Sequence, residues 1–332
     1  MSCVRAALRA ASCLVASLVA LSILAPSASA HCFVGARFFP ATLNTDDPCV
    51  ADELSLPTVS AFGTADMPPA RQTNISGELS KRLTDMVGLS FGATWTQITQ
   101  PDASGVAGFQ NIETTLKWQL ATLPKSEFVM SAGINVEWGG TGSQAVGAET
   151  FSTYMPTIWF GKGFGDLPDS VKWLRPFAIT GQVGYAIPGI STVVTIDPDS
   201  GDTDTAFNPQ VLTWGGSVQY SMPYLSSNVV DLGLPAFFNR LNFVVEASLQ
   251  SPVANAQTSG ILTTGTISSG LIWVGSFYQV GVEALIPVNS QSGSDVGVIA
   301  QLHFYLDDHF PRTIGRPLFG GSGSSMRRTT GY

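Results

Sequence analysis

Residues 127–138 read EFVMSAGINVEW, and this stretch decides the fold. Its large apolar side chains fall on every second position from Phe128 to Trp138, and most residues between them are polar or glycine. Successive side chains of a β-strand point to opposite faces of the sheet. The alternation therefore predicts a strand with one apolar face and one polar face.

The same alternation recurs along most of the chain. Spans of 9–14 residues show it at different strengths, and they are 57–65, 72–83, 86–97, 109–122, 150–162, 175–188, 209–222, 239–250, 262–274, 277–288 and 295–306. A tilted strand of about ten residues is long enough to cross a bilayer. Together with 127–138, these spans predict about twelve strands, and the pattern also accommodates ten or fourteen.

The composition indicates what the two faces contact. Charged residues are only 12% of the chain, against roughly 25% in soluble domains. A β-sandwich, the alternative fold, packs its apolar faces together and needs a charged exterior. We therefore predict an all-β fold, an antiparallel transmembrane β-barrel with its apolar face in lipid and its polar face around a lumen. Four tryptophans on the apolar face suit the membrane interfaces, and they are Trp95, Trp118, Trp138 and Trp214.

The first 30 residues resemble a cleaved secretory signal. Arg5 and Arg9 precede an apolar stretch at 10–24, and Ala28-Ser29-Ala30 forms a small-residue cleavage site. A retained anchor helix is the alternative. No later stretch has about 20 consecutive apolar residues, so export predicts a bacterial outer-membrane location. Taking 57–65 as the first strand gives an even count and places both chain ends in the periplasm.

Removal of the signal leaves Cys32 and Cys49 as the remaining cysteines. In an oxidising compartment an even pair predicts a disulfide, and free or metal-binding thiols are the alternative. The domain organisation is then a signal at 1–30, a disulfide-tied segment at 31–56, a barrel at 57–306 and a tail at 307–332. The segment at 31–56 either fills the lumen as a plug or lies in the periplasm.

Three stretches of the chain carry a resemblance to a known family. They are FNRLNFVVEASLQSP at 238–252, FYQVGVEALIPV at 277–288 and GVIAQLHFYLDDHFP at 297–311. In them the chain resembles bacterial outer-membrane proteins grouped as "MetA-pathway of phenol degradation". The resemblance implies a barrel that passes small hydrophobic or aromatic compounds, and it assigns no catalytic residues. The chain departs from common barrels in continuing well past its last strand.

Charged residues and one histidine on the polar face are candidates for lining the lumen. They either form a selective constriction or brace the barrel as internal pairs. The set has more acids than bases, so a bias toward cations is expected. It consists of Glu78, Arg82, Glu113, Lys117, Glu137, Arg240, Glu246, Glu283 and His303.

The longest predicted loop, 189–208, contains an acidic run with oxygen ligands suited to calcium. The run holds Asp197, Asp199, Asp202 and Asp204, but its spacing does not match an EF-hand. A solvated acidic loop is the simpler interpretation. We expect no metal and no cofactor.

The sequence favours a channel or transporter for small molecules, with no chemistry performed. A surface or structural barrel without transport is the alternative, and a membrane-embedded hydrolase that uses His303 with a serine is a second. The expected partners are outer-membrane lipid, the permeant and the barrel-assembly machinery. A net charge of −8 and a pI near 4.8 exclude a strongly basic nucleic-acid binder.

Overall fold

A computed structural model describes residues 32–100, 104–196, 203–256 and 263–319. Strands dominate these residues. Two short strands come first, β1 (Phe33–Val34) and β2 (Arg37–Phe38), and they pair as a hairpin. Two short α-helices follow later in the chain, α1 (Met222–Asn228) and α2 (Leu306–His309). No helix in the described ranges is long and apolar enough to span a membrane.

The long strands form one antiparallel sheet that closes on itself. The sheet consists of β3 (Glu53–Gly63), β4 (Arg71–Arg82), β5 (Val87–Thr99), β6 (Val106–Phe109), β7 (Ile112–Leu123), β8 (Phe128–Trp138), β9 (Thr153–Gly163), β10 (Phe177–Pro188), β13 (Gln210–Ser221), β14 (Leu241–Ala254), β15 (Thr264–Val274), β16 (Tyr278–Pro287) and β17 (Gly297–Tyr305). Strands that follow one another in this series pair with each other, except that β6 and β7 both pair with β5, and β3 closes the ring by pairing with β17. The remaining strands, β11 (Thr192–Ile196) and β12 (Thr203–Phe207), form a separate hairpin between β10 and β13.

The closed sheet is a twelve-stranded barrel. Strands β6 and β7 follow one another along the same edge of β5 and count as one interrupted barrel strand. The predicted fold class and strand count are confirmed. The weakest predicted strand, 57–65, is the first of the barrel, and it begins earlier than predicted, at Glu53.

The two faces of the barrel have the predicted sidedness. Along β16 every second side chain from Tyr278 to Ile286 points outward and is exposed, while Gln279 and Glu283 are buried inside. The outward face carries exposed large apolar residues on strand after strand, including Ile158, Val183, Trp214, Val218, Phe243, Val245 and Val282. Since water disfavours so large an apolar exterior, this surface is suited to lipid.

The connections between strands differ at the two ends of the barrel. We call the end where β3 begins and β17 ends the proximal end, and the opposite end the distal end. Tight connections such as 83–86, 124–127 and 275–277 lie at the proximal end, together with α1 and α2. The distal end carries the β11–β12 hairpin and the loop at 139–152.

Candidate functional site: the plugged lumen

The segment 32–52, which we call the plug, lies inside the barrel near its proximal end. Its ends are tied by the Cys32–Cys49 disulfide, with 5.3 Å between the two Cα atoms. The disulfide prediction is therefore confirmed. Of the two locations predicted for this segment, the structure places it in the lumen. Its apolar side chains pack against inward-facing wall residues in two clusters, one around Phe39 and Val129 and the other around Leu43 and Ile272.

Arg37 anchors the plug at the proximal end. Its side chain is fully buried, and its Nε lies 3.2 Å from Glu127 Oε2. It also donates to the backbone oxygens of Arg175 and Pro176, and its guanidinium lies 3.7 Å from the centre of the Tyr224 ring. The four partners come from two connections between barrel strands and from α1, so one side chain joins separate parts of the proximal rim.

Tyr224 completes this anchor. Its hydroxyl donates to Glu127 Oε1 at 2.8 Å. Burial, and secondarily this hydrogen bond to a carboxylate, raise the pKa of Tyr224 to about 12. The phenol therefore stays neutral and remains a donor across the physiological pH range.

Glu246 holds the middle of the plug. Its carboxylate accepts hydrogen bonds from the backbone amides of Leu43 (2.9 Å) and Asn44 (3.2 Å) and from the Thr45 hydroxyl (2.6 Å). Asn44 extends further and donates to Thr266 on β15. A buried carboxylate with three donors is well satisfied, so this contact fixes the plug against the wall.

Gly281 provides space for the plug on β16. A Cβ atom built on this glycine would lie 2.5 Å from Leu43 Cδ1, which is far inside van der Waals contact. The absence of a side chain at this inward position therefore lets Leu43 reach the wall. On the same strand, Gln279 donates to the backbone oxygen of Ala41 at 2.5 Å.

Lys117 reaches the plug from β7. Its ammonium donates to Asp46 Oδ2 and to the backbone oxygen of Asp47, each at 2.8 Å, and lies 4.7 Å from the centre of the Trp159 ring. Burial, followed by the nearby charge of Glu53, raises the pKa of Asp47 well above its usual value.

The last plug residue, Asp52, forms the ion pairs nearest the start of the barrel. Its carboxylate accepts from Arg82 Nε at 2.8 Å and from Lys81 Nζ at 2.5 Å. The chain after α2 covers these bases, because Arg82 Nη2 donates to the backbone oxygen of Gly315 at 3.0 Å. The beginning of the tail thus packs against the same end of the barrel as the plug.

A cavity of about 400 Å³ remains inside the barrel beside the plug. Plug residues 41–51 form one wall, and inward side chains of β3, β4, β5, β7 and β17 form the rest. The predicted residues Glu78, Glu113, Lys117 and His303 line it. The structure thus brings four of the nine candidates into one chamber.

The other candidates lie in different surroundings. Glu137 faces inward and accepts from Asn111 Nδ2 at 2.9 Å, Arg82 and Glu246 bind the plug, and Glu283 is buried on β16. Arg240 differs from the prediction. It lies in a turn before β14 with its guanidinium 5.5 Å from the centre of the Trp273 ring, beside exposed aromatic side chains at the proximal rim rather than in the lumen.

His303 has two neighbours that resemble parts of a hydrolytic site. Its Nδ1 lies 2.8 Å from Ser55 Oγ, and its Nε2 lies 3.5 Å from Glu53 Oε2. In a Ser-His-Asp triad the carboxylate binds Nδ1 and the serine faces Nε2. The two partners are exchanged here, so the arrangement does not have the geometry of that triad and suits a structural contact between β17 and β3.

The acidic run of the long loop falls mostly outside the described residues. Asp197, Asp199 and Asp202 lie there, as do residues 1–31, which include the predicted signal. The backbone of Asp204 pairs with Thr195 in the β11–β12 hairpin.

Only a weak pattern in the sequence indicates the residues that hold the plug. The stretch that contains Arg37, Asp46 and Asp52 shows no strand alternation. It combines these charged residues with several phenylalanines, and this composition is unusual for an exposed leader. Trp159 also escaped prediction, because its span, 150–162, alternates poorly. It lies on the inward face and is 3% exposed.

Comparisons with known proteins give structural similarity only. No family model matches the chain, and no curated protein matches it. The NanC porin is similar with a TM-score of 0.43 and 11% identity, over 75% of this chain and 98% of that one. The KdgM porin gives 0.41 and 11%, over 76% and 98%. An outer-membrane channel from Pseudomonas putida F1 gives 0.49 and 12%, over 81% and 99%. These similarities are low, so the function proposed below rests on the chain's own residues.

Proposed function

We propose that this protein is an outer-membrane channel for small molecules whose lumen is closed at the proximal end by the plug. The observation that carries the proposal is the cavity of about 400 Å³ inside a closed barrel with an apolar exterior. A cavity lined by polar side chains provides room for water and a small polar molecule inside the barrel, which supports passage of such a molecule. Lipid and the barrel-assembly machinery are then the expected partners.

The plug is held by contacts that can break without unfolding the barrel. Its disulfide links two plug residues to each other, and its contacts with the wall are hydrogen bonds, ion pairs and apolar packing. The barrel itself is held by continuous strand pairing that does not include residues 32–52. Displacement of the plug therefore opens a route through an intact barrel.

The lining of the cavity bears on the permeant. The family resemblance implies hydrophobic or aromatic compounds, and no comparison tests that implication. Carboxylates, amides and hydroxyls dominate the side chains that surround the cavity, which favours polar molecules.

A planar-bilayer experiment tests the proposal. Wild-type protein and a variant lacking residues 32–50 are refolded in detergent, checked for heat-modifiable gel migration, and inserted under a constant voltage. We expect rare or no conductance steps from the wild type and frequent, stable steps from the deletion variant. If both folded proteins are silent, the channel proposal fails and the structural alternative is favoured.

A second variant guards against misfolding of the deletion. Cysteines at Leu43 and Gly281 would lie close enough to form a disulfide that ties the plug to β16. In a barrel whose plug contact is weakened by Glu246→Ala, the oxidised tether should suppress the conductance steps, and its reduction should restore them. Frequent conductance from the oxidised tethered barrel, at the level of the reduced one, would contradict closure by the plug.

A further inference from the structure

Asp52 is the hinge of the plug, because β3 begins at the next residue. A plug that leaves the lumen of an intact barrel must therefore turn its chain at this position. The Asp52 side chain is 0% exposed and lies against Lys81 and Arg82. Its backbone oxygen accepts a hydrogen bond from the Leu306 amide at 2.9 Å. Release of the plug therefore requires that these contacts loosen.

Lys81 links this hinge to the chain that follows α2. We call that chain, residues 310–319, the strap. The Lys81 ammonium donates to Asp52 Oδ1 at 2.5 Å. It also donates to the backbone oxygens of Ile314 and Arg316, at 2.7 and 2.6 Å. An ammonium group has three protons to donate, so this one side chain is shared between one acceptor in the plug and two in the strap.

Arg82 makes a second link between the hinge and the strap. Its Nε donates to Asp52 Oδ2 and its Nη2 donates to the backbone oxygen of Gly315, at 2.8 and 3.0 Å. The strap returns a hydrogen bond, because the Leu318 amide donates to the backbone oxygen of Arg82 at 3.1 Å. The Arg82 side chain is 7% exposed in this position. An ion pair that is shielded from water is stronger than the same pair on an open surface.

The strap itself is accessible from the proximal end. Residues 311–314 are exposed, and the strap takes no part in the strand pairing of the described residues. Gly315 is buried where the strap crosses α2. A Cβ atom built on it would lie 2.4 Å from Asp307 Cα and 2.5 Å from the backbone oxygen of Leu306. The strap can therefore leave without breaking the barrel, and a side chain at position 315 would force it away from α2.

We propose that the strap locks the hinge, so that docking of the strap and docking of the plug stabilise each other. When the strap leaves, Lys81 and Arg82 lose their backbone acceptors and meet water, which weakens their ion pairs with Asp52. Because coupling between two sites is reciprocal, a molecule that binds the released strap also favours release of the plug. The inference rests on the proposed function, since it names the regulation of that closure.

Hydrogen exchange measured by mass spectrometry reports release of the plug directly. The Leu43 amide donates to Glu246 on β14. The Val50 amide donates to Gln119 on β7 at 3.0 Å. Both acceptors belong to the wall, so these two amides exchange with solvent when the plug leaves it. The protein is refolded in detergent, and exchange in the plug is compared with exchange in the barrel strands.

Two variants displace the strap without changing any residue that contacts Asp52. Gly315→Ala adds a methyl group against α2, and faster exchange of the Leu318 amide shows that the strap has moved. A truncated chain lacks residues 313–332 and with them most of the strap. The matched control lacks only residues 320–332, so it retains the whole strap.

We expect the Leu43 and Val50 amides to exchange about tenfold faster in both strap variants than in the wild type, which is a typical coupling between two sites. The control should match the wild type, and the barrel strands should exchange alike in all four proteins. If the truncated chain does not refold, Gly315→Ala decides alone. Unchanged plug exchange in a variant whose strap is displaced or removed, equal acceleration in the control, or equal acceleration in the barrel strands would each overturn the proposal.

Conductance then separates the strap from the channel, because hydrogen exchange reports plug release whether or not the barrel conducts. If the barrel lacking residues 32–50 conducts, full-length Gly315→Ala protein should open more often than the wild type. Equal opening rates in those two proteins would overturn the role of the strap and leave the channel intact. A silent plug-deleted barrel, together with faster plug exchange in Gly315→Ala, would refute the channel and support the strap.

Discussion

The substitution Glu246→Ala should release the plug without opening the barrel wall. Glu246 is 1% exposed and accepts three hydrogen bonds from Leu43, Asn44 and Thr45. A hydrogen bond to a charged group contributes at least about 1.5 kcal/mol, so the loss of all three should weaken plug docking by at least about 4.5 kcal/mol. This corresponds to a change of more than about a thousandfold in the equilibrium between docked and released plug.

Single-channel recording measures the consequence. Refolded Glu246→Ala protein in a planar bilayer should open far more often than the wild type, with the same step size as the barrel lacking residues 32–50. The matched control is Glu137→Ala, which removes an inward-facing carboxylate on β8 whose hydrogen bond comes from the wall residue Asn111. Equal opening rates in wild type and Glu246→Ala, or equal stimulation by both substitutions, would refute the assigned role of Glu246.

Three other changes test the proximal end. Replacing Cys32 and Cys49 with serine should weaken the order of the plug by about 3 kcal/mol through loop entropy, seen as faster proteolysis of residues 32–52 in an otherwise resistant barrel; unchanged proteolysis would argue against it. Arg37→Met should leave Glu127 buried without its cation and lower the free energy of unfolding by about 3–5 kcal/mol, measured by urea titration against the wild type. A change smaller than about 1 kcal/mol, which is typical of an exposed ion pair, would contradict the role of Arg37 in anchoring the plug. Folding raises the pKa of Tyr224 to about 12, from the ordinary tyrosine value of about 10. The contribution of its neutral phenol to the free energy of unfolding is therefore complete below a pH of about 10 and is lost as the pH rises toward about 12. Tyr224→Phe should remove this loss, and a variant whose melting temperature falls at alkaline pH as in the wild type would contradict the assignment.

The barrel could be predicted because each strand carries its own signal. On 277–288 the alternation alone places Gln279, Gly281 and Glu283 on the inward face, as in the structure. Lipid on one side and a wet interior on the other impose the same two-residue period on every strand. The strand count follows from repeating that local pattern.

The plug could not be located from the sequence, because its contacts connect distant residues. Arg37 meets Glu127, and Leu43 meets Glu246 across about two hundred residues. No local pattern in 31–56 encodes such partners, which is why a periplasmic location stayed open. The structure also shows why inward faces contain apolar residues such as Val244 and Ile272, since they pack against the plug.

Two errors of assignment have local causes. The alternation of 239–250 places Arg240 on the same face as Asn242, but the strand begins at Leu241, and the turn before it directs Arg240 toward Trp273. The sequence predicts a loop at 189–208, where β11 and β12 form a hairpin, because the acidic run obscures the short alternating stretches on either side of it.

A spin-label scan of β16 in lipid vesicles tests the central claim most directly, namely that one face of each strand contacts lipid and the other encloses the plugged lumen. Labels are placed singly at Val280, Val282 and Ile286, and at Gln279 and Glu283. The account predicts that the first three collide often with lipid-soluble oxygen and rarely with a water-soluble nickel complex, whereas the other two have little access to oxygen. Frequent collisions of the nickel complex at Val280 and Val282, or oxygen access without a two-residue period, would contradict it.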